Sequence, residues 1–174
     1  PYTVKKNMND IFQVVNIETC NICNRSCSFC KFGQPKFKEP KSFLEFELIE
    51  KIAKELVELN FKGRIHFTGI NEPLLDSRIY AMLKLFQNLK GDKSITTNGD
   101  YLNYDTLQKL SDSGLTHINI SVYSDNHLKS IKKKCEGWNY GLSDMRPKTR
   151  RLSKVLVNRA GDINLENIID SRII

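Results

Sequence analysis

No stretch of this chain approaches the ~20 consecutive apolar residues that a membrane-spanning helix needs, and no charged-then-apolar leader opens it. It also lacks internal repeats, low-complexity segments beyond one basic tract, and the spread of cysteines that marks a secreted disulfide framework. Four of its five cysteines fall within Cys20 to Cys30. Thiols that close persist reduced only in a reducing compartment or under a metal, so the expected location is cytoplasmic, with no membrane partner. An initiator Met is missing as well: the chain starts at Pro1, which reads as processing or trimming. The 174 residues suffice for about one domain with a proper core, taken here as 1–174.

What is present in excess is positive charge, a net +7 unevenly placed. Lys129, Lys132, Lys133, Lys134, Arg146, Lys148, Arg150, Arg151, Lys154 and Arg159 fall in the last third, against few acids. This pattern reads first as a solvated helix face followed by a basic loop; the rival reading is an anionic partner such as a nucleotide, nucleic acid, a phosphorylated sugar or an acidic peptide. Aromatic residues are sparse in that tract, which gives base stacking little support.

Periodicity alternates between strand and helix. Residues 11 to 18 read as a strand running into the cysteine-rich loop. Pro35 and Pro40 discourage regular structure before Ser42 and Glu45, whose spacing predicts a capping box opening a helix to about Asn60. Leu44, Leu48, Ile52, Leu56 and Leu59 are its expected buried face. A strand at Arg64 to Thr68 ends on Gly69-Ile70-Asn71-Glu72-Pro73. Asp76 is the expected cap of a second helix, with Ile79, Met82, Leu83, Phe86 and Leu89 inward and Gly91 ending it. Ser94 to Thr97 is a third strand, 104 to 112 a helix closed by Gly114, and Thr116 to Val122 a fourth strand. A Lys-rich helix over about Asp125 to Lys134 and a fifth strand at Leu152 to Val157 complete the pattern. Such alternation implies right-handed β-α-β units and a parallel sheet, whose functional loops sit at the carboxyl ends of the strands. Each unusual motif of this chain falls at that end of its own strand.

The chemistry concentrates in Cys23-Asn24-Arg25-Ser26-Cys27-Ser28-Phe29-Cys30, a C-x3-C-x2-C run. Three soft ligands on one short loop suit an iron–sulfur cubane and leave one iron without a protein ligand. Cys20 adds a fourth thiol, so a four-cysteine zinc site is a rival. Zinc pairs are usually separated by a long insert, however, and a three-residue insert forces all four thiolates from one tight coil. A ferredoxin-type carrier is a second rival, but its ordering is C-x2-C-x2-C-x3-C-P and no proline follows Cys30. Cys20 reads as a packed thiol. Cys135, beside three lysines, reads as a semi-exposed cysteine or a low-pKa thiol. His66, His117 and His127 are scattered and read as structural or exposed.

The loop, aromatic residue included, resembles the cluster loop of the radical S-adenosylmethionine (radical SAM) superfamily. The resemblance implies a [4Fe-4S] cluster on Cys23, Cys27 and Cys30, with Phe29 against the SAM adenine. Gly69-Ile70-Asn71-Glu72-Pro73 resembles the family's G-G-E-P segment, in which Gly69, the residue at Asn71 and Glu72 hold the methionine amino group. Asn71 departs from the usual second glycine, which puts that backbone contact in doubt. Thr96-Thr97-Asn98-Gly99 and Ile120-Ser121-Val122-Tyr123 resemble the third- and fourth-strand ends, and they imply Asn98 and Ser121 in the SAM pocket. Asn158-Arg159-Ala160-Gly161 resembles a segment of members with SPASM or twitch extensions, and it implies Arg159 beside a carboxylate. No auxiliary-cluster cysteines follow Arg159.

The resemblance spans roughly residues 11 to 161 and implies an α/β fold: a partial parallel (β/α) barrel of the radical SAM type, shortened to about five strands. It implies reductive cleavage of SAM at the cluster to a 5′-deoxyadenosyl radical, which abstracts hydrogen from an unidentified anionic, peptide or nucleotide-like substrate. It further implies an electron donor such as flavodoxin or ferredoxin, and an open barrel edge for a homo-oligomer or partner subunit. The alternative is a non-catalytic iron–sulfur or zinc protein: an electron carrier, sensor or binding module derived from a truncated core.

Overall fold

The expected alternation produces four parallel strands in the order β1-β2-β3-β4, each followed by a helix. The structure, a computed structural model, describes residues 12–138. The strands are β1 (Val14–Ile17), β2 (Arg64–Phe67), β3 (Lys93–Thr97) and β4 (His117–Ile120). The helices are α1 (Phe46–Glu58), α2 (Ile79–Leu85), α3 (Tyr104–Asp112) and α4 (Asp125–Lys134). The expected fifth strand, the Asn158–Gly161 segment and Arg159 lie outside the described residues. No helix among the described residues is long and apolar enough to cross a membrane.

Period-two alternation along each strand separates two faces of the sheet. Ile17, Ile65, Phe67, Ile95, Ile118 and Ile120 are buried and pack with the helices, while Asn16, His66, Thr96 and Asn119 alternate with them. The α2 face is as expected, with Ile79, Met82, Leu83, Phe86 and Leu89 all buried. Phe67 meets Phe86 edge-on with ring centroids 5.9 Å apart, an aromatic geometry worth about 0.5–1.5 kcal/mol beyond area burial. Side chains of this size each contribute about 1.5–3 kcal/mol when fully buried.

Three local expectations are corrected. Ser42 and Glu45 form no capping box: Glu45 makes no side-chain cap, and Ser42 pairs with Asn21 through both of its backbone groups. With Leu44 N–H donating to Thr19 O at 2.8 Å, this pairing keeps 42–44 extended against the chain entering the cysteine loop. The α1 core face is therefore Ile49 and Ala53, with Ile52 and Leu56 beside them, whereas Leu48 and Leu59 are exposed. Asp76 does not cap α2 directly. It ends a 3-10 turn over Pro73–Leu75, and its buried carboxylate holds Arg78 by two hydrogen bonds of 2.9 Å. α2 ends at Leu85, well before Gly91.

Candidate functional site

The carboxyl ends of the four strands bring the cysteine loop, the Gly69–Pro73 turn, the Asn98–Gly99 turn and the segment after β4 together. The cysteine loop is shaped by its own backbone. Cys30 N–H donates to Cys27 O, and Gly33 N–H donates to Cys30 O, both at 2.9 Å. A Cβ on Gly33 would run into the Cys27 carbonyl, so only glycine lets the following turn close on the loop.

Glu72 lies at the centre, 1% exposed. Its carboxylate accepts from Thr97 Oγ1 at 2.6 Å, Asn98 N at 2.7 Å and Leu74 N at 3.1 Å. Its own N–H donates to Ile22 O at 2.8 Å, fastening the turn to the cysteine loop. Burial pushes the Glu72 carboxyl above the usual carboxylate range, and the three donors oppose that push. A carboxylate has about four lone-pair positions. With three taken, one remains.

Asn98 joins the turn to the loop from the other side. Its Nδ2 donates to Asn24 Oδ1 at 2.7 Å and approaches Cys23 Sγ at 3.9 Å, while its Oδ1 accepts from Asp100 N. Gly99 holds the turn at φ +81°, where a Cβ would press on Ile131 at 2.7 Å. Cys23 Sγ also accepts from Arg25 N at 3.4 Å. Burial pushes the Cys23 thiol up, with Glu72 and Cys27 adding to the push against the Arg25 amide. Ser121 is nearly buried, and its N–H donates to Thr97 O at 2.8 Å.

Cys23, Glu72, Asn98 and Ser121 thus belong to one connected hydrogen-bond network, with Cys27 on the same loop as Cys23. The remaining expected residues sit at its margin. Phe29 is exposed on the loop. Gly69 packs against Glu18, whose Oε1 accepts from Ile70 N at 2.5 Å. Asn71 Nδ2 faces Thr19 and Cys20, and its Oδ1 is buried without a partner among the described residues. Cys20 is buried beside Asn71. Cys135 is buried too, not semi-exposed, and burial pushes its thiol up, so its lysine neighbours do not make it a low-pKa thiol.

Sequence reasoning missed a second set of residues. Arg25 makes a bidentate pair with Asp100 at 2.5 and 2.7 Å, and Asn24 donates to the same carboxylate at 2.7 Å. The guanidinium lies 4.2 Å from the centroid of the Tyr123 ring, a cation–π contact. His127 Nε2 stands 3.1 Å from Arg25 and 3.3 Å from Asp100, and Lys134 donates to Asp100 O at 3.0 Å. Arg25 holds the Asp100 carboxyl below its usual range. Burial and Arg25 together hold His127 below the usual imidazole range. The available signal was position: Asp100 and Tyr123 both follow strand ends, and Arg25 sits between two of the loop cysteines.

The donor set can be tested against the group it would hold. Among the described residues, no three His, Cys, Asp or Glu side chains are gathered closely enough for a single metal ion. Around one zinc, with bonds of about 2.3 Å, thiolate sulfurs lie roughly 3.8 Å apart. A cubane asks for a wider set, one thiolate per iron corner. Three free, partly exposed thiols on one loop suit it. Beside them, the open lone pair of Glu72 and the unpartnered Asn71 Oδ1 are acceptors for an ammonium.

The radical SAM superfamily profile matches residues 17–158, and the chain belongs to that family. The S-adenosyl-L-methionine-dependent 2-deoxy-scyllo-inosamine dehydrogenase of Niallia circulans is 30% identical over 119 residues, covering 67% of this chain and 47% of the dehydrogenase. The GTP 3',8-cyclase of Staphylococcus haemolyticus is 33% identical over 126 residues, covering 68% of this chain and 36% of the cyclase. The crystal structure of BtrN in complex with AdoMet and 2-DOIA aligns with TM-score 0.63 at 25% identity, covering 73% of this chain and 53% of BtrN. The chain spans less than half the length of the two curated relatives. The fold is thus an α/β partial barrel of the radical SAM type, and the family's cofactors are a [4Fe-4S] cluster and SAM.

Proposed function

We propose that residues 1–174 form a single radical SAM core domain in which Cys23, Cys27 and Cys30 ligate the cluster and Glu72 receives the ammonium of SAM. The observation that carries this reading is the Glu72–Asn98–Cys23 connection, which links a buried carboxylate to the cysteine loop at hydrogen-bond range. When bound, the cluster and SAM supply a reductive carbon–sulfur cleavage that yields a 5′-deoxyadenosyl radical able to abstract hydrogen from a substrate.

The chain's own residues orient and exclude. Thr97, Leu74 and the Asn98 amide fix the Glu72 carboxylate in one orientation before any ligand arrives, so little ordering remains to be done on binding. An ammonium facing it makes a charge-assisted hydrogen bond in a site with little water. Asn98 and Ser121 border the same space, Phe29 stands exposed on the loop where an adenine could cover it, and Arg159 is the candidate partner of a carboxylate. The basic last third favours an anionic substrate, peptide or nucleotide-like, and the reductant would be a flavodoxin- or ferredoxin-type donor. A second copy or a partner subunit would cover the open sheet edge.

The test is anaerobic reconstitution of the full chain with iron and sulfide, reduction with dithionite, addition of SAM, and assay for 5′-deoxyadenosine. Wild type is expected to form it and Cys27→Ala to form none. A reduced, cluster-loaded wild type that leaves SAM intact would sink the enzymatic reading in favour of a carrier or sensor.

A further inference from the structure

The segment that follows Cys30 has no part in the roles assigned above, yet it is tied to the cysteine loop at both ends. Gly33 N–H donates to Cys30 O at 2.9 Å, and Gln34 Nε2 donates to Ser28 O at 3.3 Å. At the far end Asn21 Nδ2 donates to Pro40 O at 2.9 Å, while Asn21 N–H donates to Ser42 O and Asn21 Oδ1 accepts from Ser42 N. Residues 31–41 therefore form a collar that starts and finishes on the loop. This collar carries Lys31, Lys36, Lys38 and Lys41 against a single acid, Glu39. Lys31 pairs with Glu39 at 3.3 Å and lies 4.8 Å from the centroid of the Phe37 ring. Lys36, Lys38 and Lys41 are exposed and have no ion-pair partner among the described residues. Phe43, next to them, is 46% exposed. The surface of α1 is different, with Glu47, Glu50, Glu55 and Glu58 against Lys51 and Lys54. The unpaired positive charge thus belongs to the collar and not to the surface in general.

We propose that this collar is the docking surface for the reductant, and that it fits an acidic face on a low-potential electron-carrier protein. Electron transfer between proteins falls steeply with distance, so a donor must seat beside the loop that bears the cluster ligands. The collar is the surface continuous with that loop. Its three unpaired lysines attract carboxylates on the donor, which speeds encounter and fixes orientation more than it adds affinity. Phe43 supplies an exposed aromatic contact beside this charged rim. Pro35 and Pro40 fix two backbone torsions of the collar, which limits the freedom lost on docking. One electron leaves the hydroquinone of a flavodoxin, which becomes the semiquinone, and reduces the cluster with no bond made or broken. This inference rests on the cluster reading above.

The test is stopped-flow reduction of the anaerobically reconstituted full chain by flavodoxin hydroquinone, with dithionite, a small reductant that needs no docking surface, as the reference. Wild type is compared with a collar variant, Lys36→Glu with Lys38→Glu, and with Lys51→Glu plus Lys54→Glu, which changes the net charge equally on α1. At an ionic strength of about 0.01 M the collar variant is expected to accept electrons from flavodoxin about 10–100-fold more slowly. Its reduction by dithionite should change far less, at unchanged iron content. The wild-type rate should fall toward that of the collar variant as ionic strength rises to about 1 M, and the α1 variant should match wild type. A collar variant that flavodoxin reduces at the wild-type rate, or an α1 variant slowed as much, would overturn the proposal. So would a wild-type cluster that dithionite reduces and flavodoxin does not. If the collar variant loses its cluster, carbodiimide cross-linking of wild type to flavodoxin decides instead. Links at Lys36, Lys38 or Lys41 support the proposal, and links confined to other lysines overturn it. A wild type that takes up no cluster at all overturns the underlying reading, so the two failures are told apart.

Discussion

Glu72 and Asp100 are two carboxylates on neighbouring turns whose environments push their proton affinities in opposite directions. Burial raises Glu72 in the folded state, so the native protein takes up its proton more readily than the unfolded chain. Ionised Glu72 therefore lowers stability above its raised value, and this cost disappears as the pH falls through it. SAM binding should show the same dependence in reverse, weakening as Glu72 protonates, at a higher pH than an ordinary carboxylate would set. Glu72→Gln should weaken SAM binding on the order of 10–100-fold and flatten its pH profile, measurable by equilibrium binding. It should also cost about 1–3 kcal/mol in chemical denaturation, because the amide cannot accept from all three donors. Asp100 is the opposite case. Arg25 depresses it, so its contribution is present above its ordinary value of 3.8 and lost as the pH falls through the depressed one. The difference in thermal midpoint between wild type and Asp100→Asn should accordingly shrink from about pH 7 to about pH 3. Iron affinity in Asp100→Asn should fall about 10–100-fold, as for other groups that support metal ligands.

Among the elements, α3 and α4 were legible to the residue because local chemistry decides their ends. Asn103 accepts from Thr106 N–H at the start of α3, and Ser124 accepts from His127 N–H at the start of α4. α1 was misread because a non-local pairing decides its start: Asn21 and Thr19 hold 42–44 extended, and the helix begins at Phe46. The shifted start moves the buried stripe to Ile49 and Ala53. Ile49→Ala should therefore cost about 2–5 kcal/mol, while Leu48→Ser should stay within about 0.5 kcal/mol; urea melts of the two decide between the registers. Gly33→Ala tests the turn after Cys30. Its Cβ would displace the Cys27 carbonyl, so the variant should fold with near-native circular dichroism but retain less iron after reconstitution.

At the scale of the molecule, the parallel sheet and the placement of motifs at strand ends were readable because both follow from the β-α-β alternation. The Arg25–Asp100–Tyr123–His127 set was not, since each member is an ordinary polar or aromatic residue until the sheet juxtaposes three separate segments. Family membership rests on a match over residues 17–158. The central claim for this chain is narrower: a cluster with one iron free of protein ligands, next to Glu72. The most direct measurement is Mössbauer spectroscopy of the full chain, reconstituted with isotopically labelled iron, before and after adding SAM. Expected is a four-iron cluster in which a single iron changes its environment when SAM is added, with the other three unaltered. A spectrum that SAM leaves unchanged, or a preparation holding one zinc on Cys20, Cys23, Cys27 and Cys30, would contradict it.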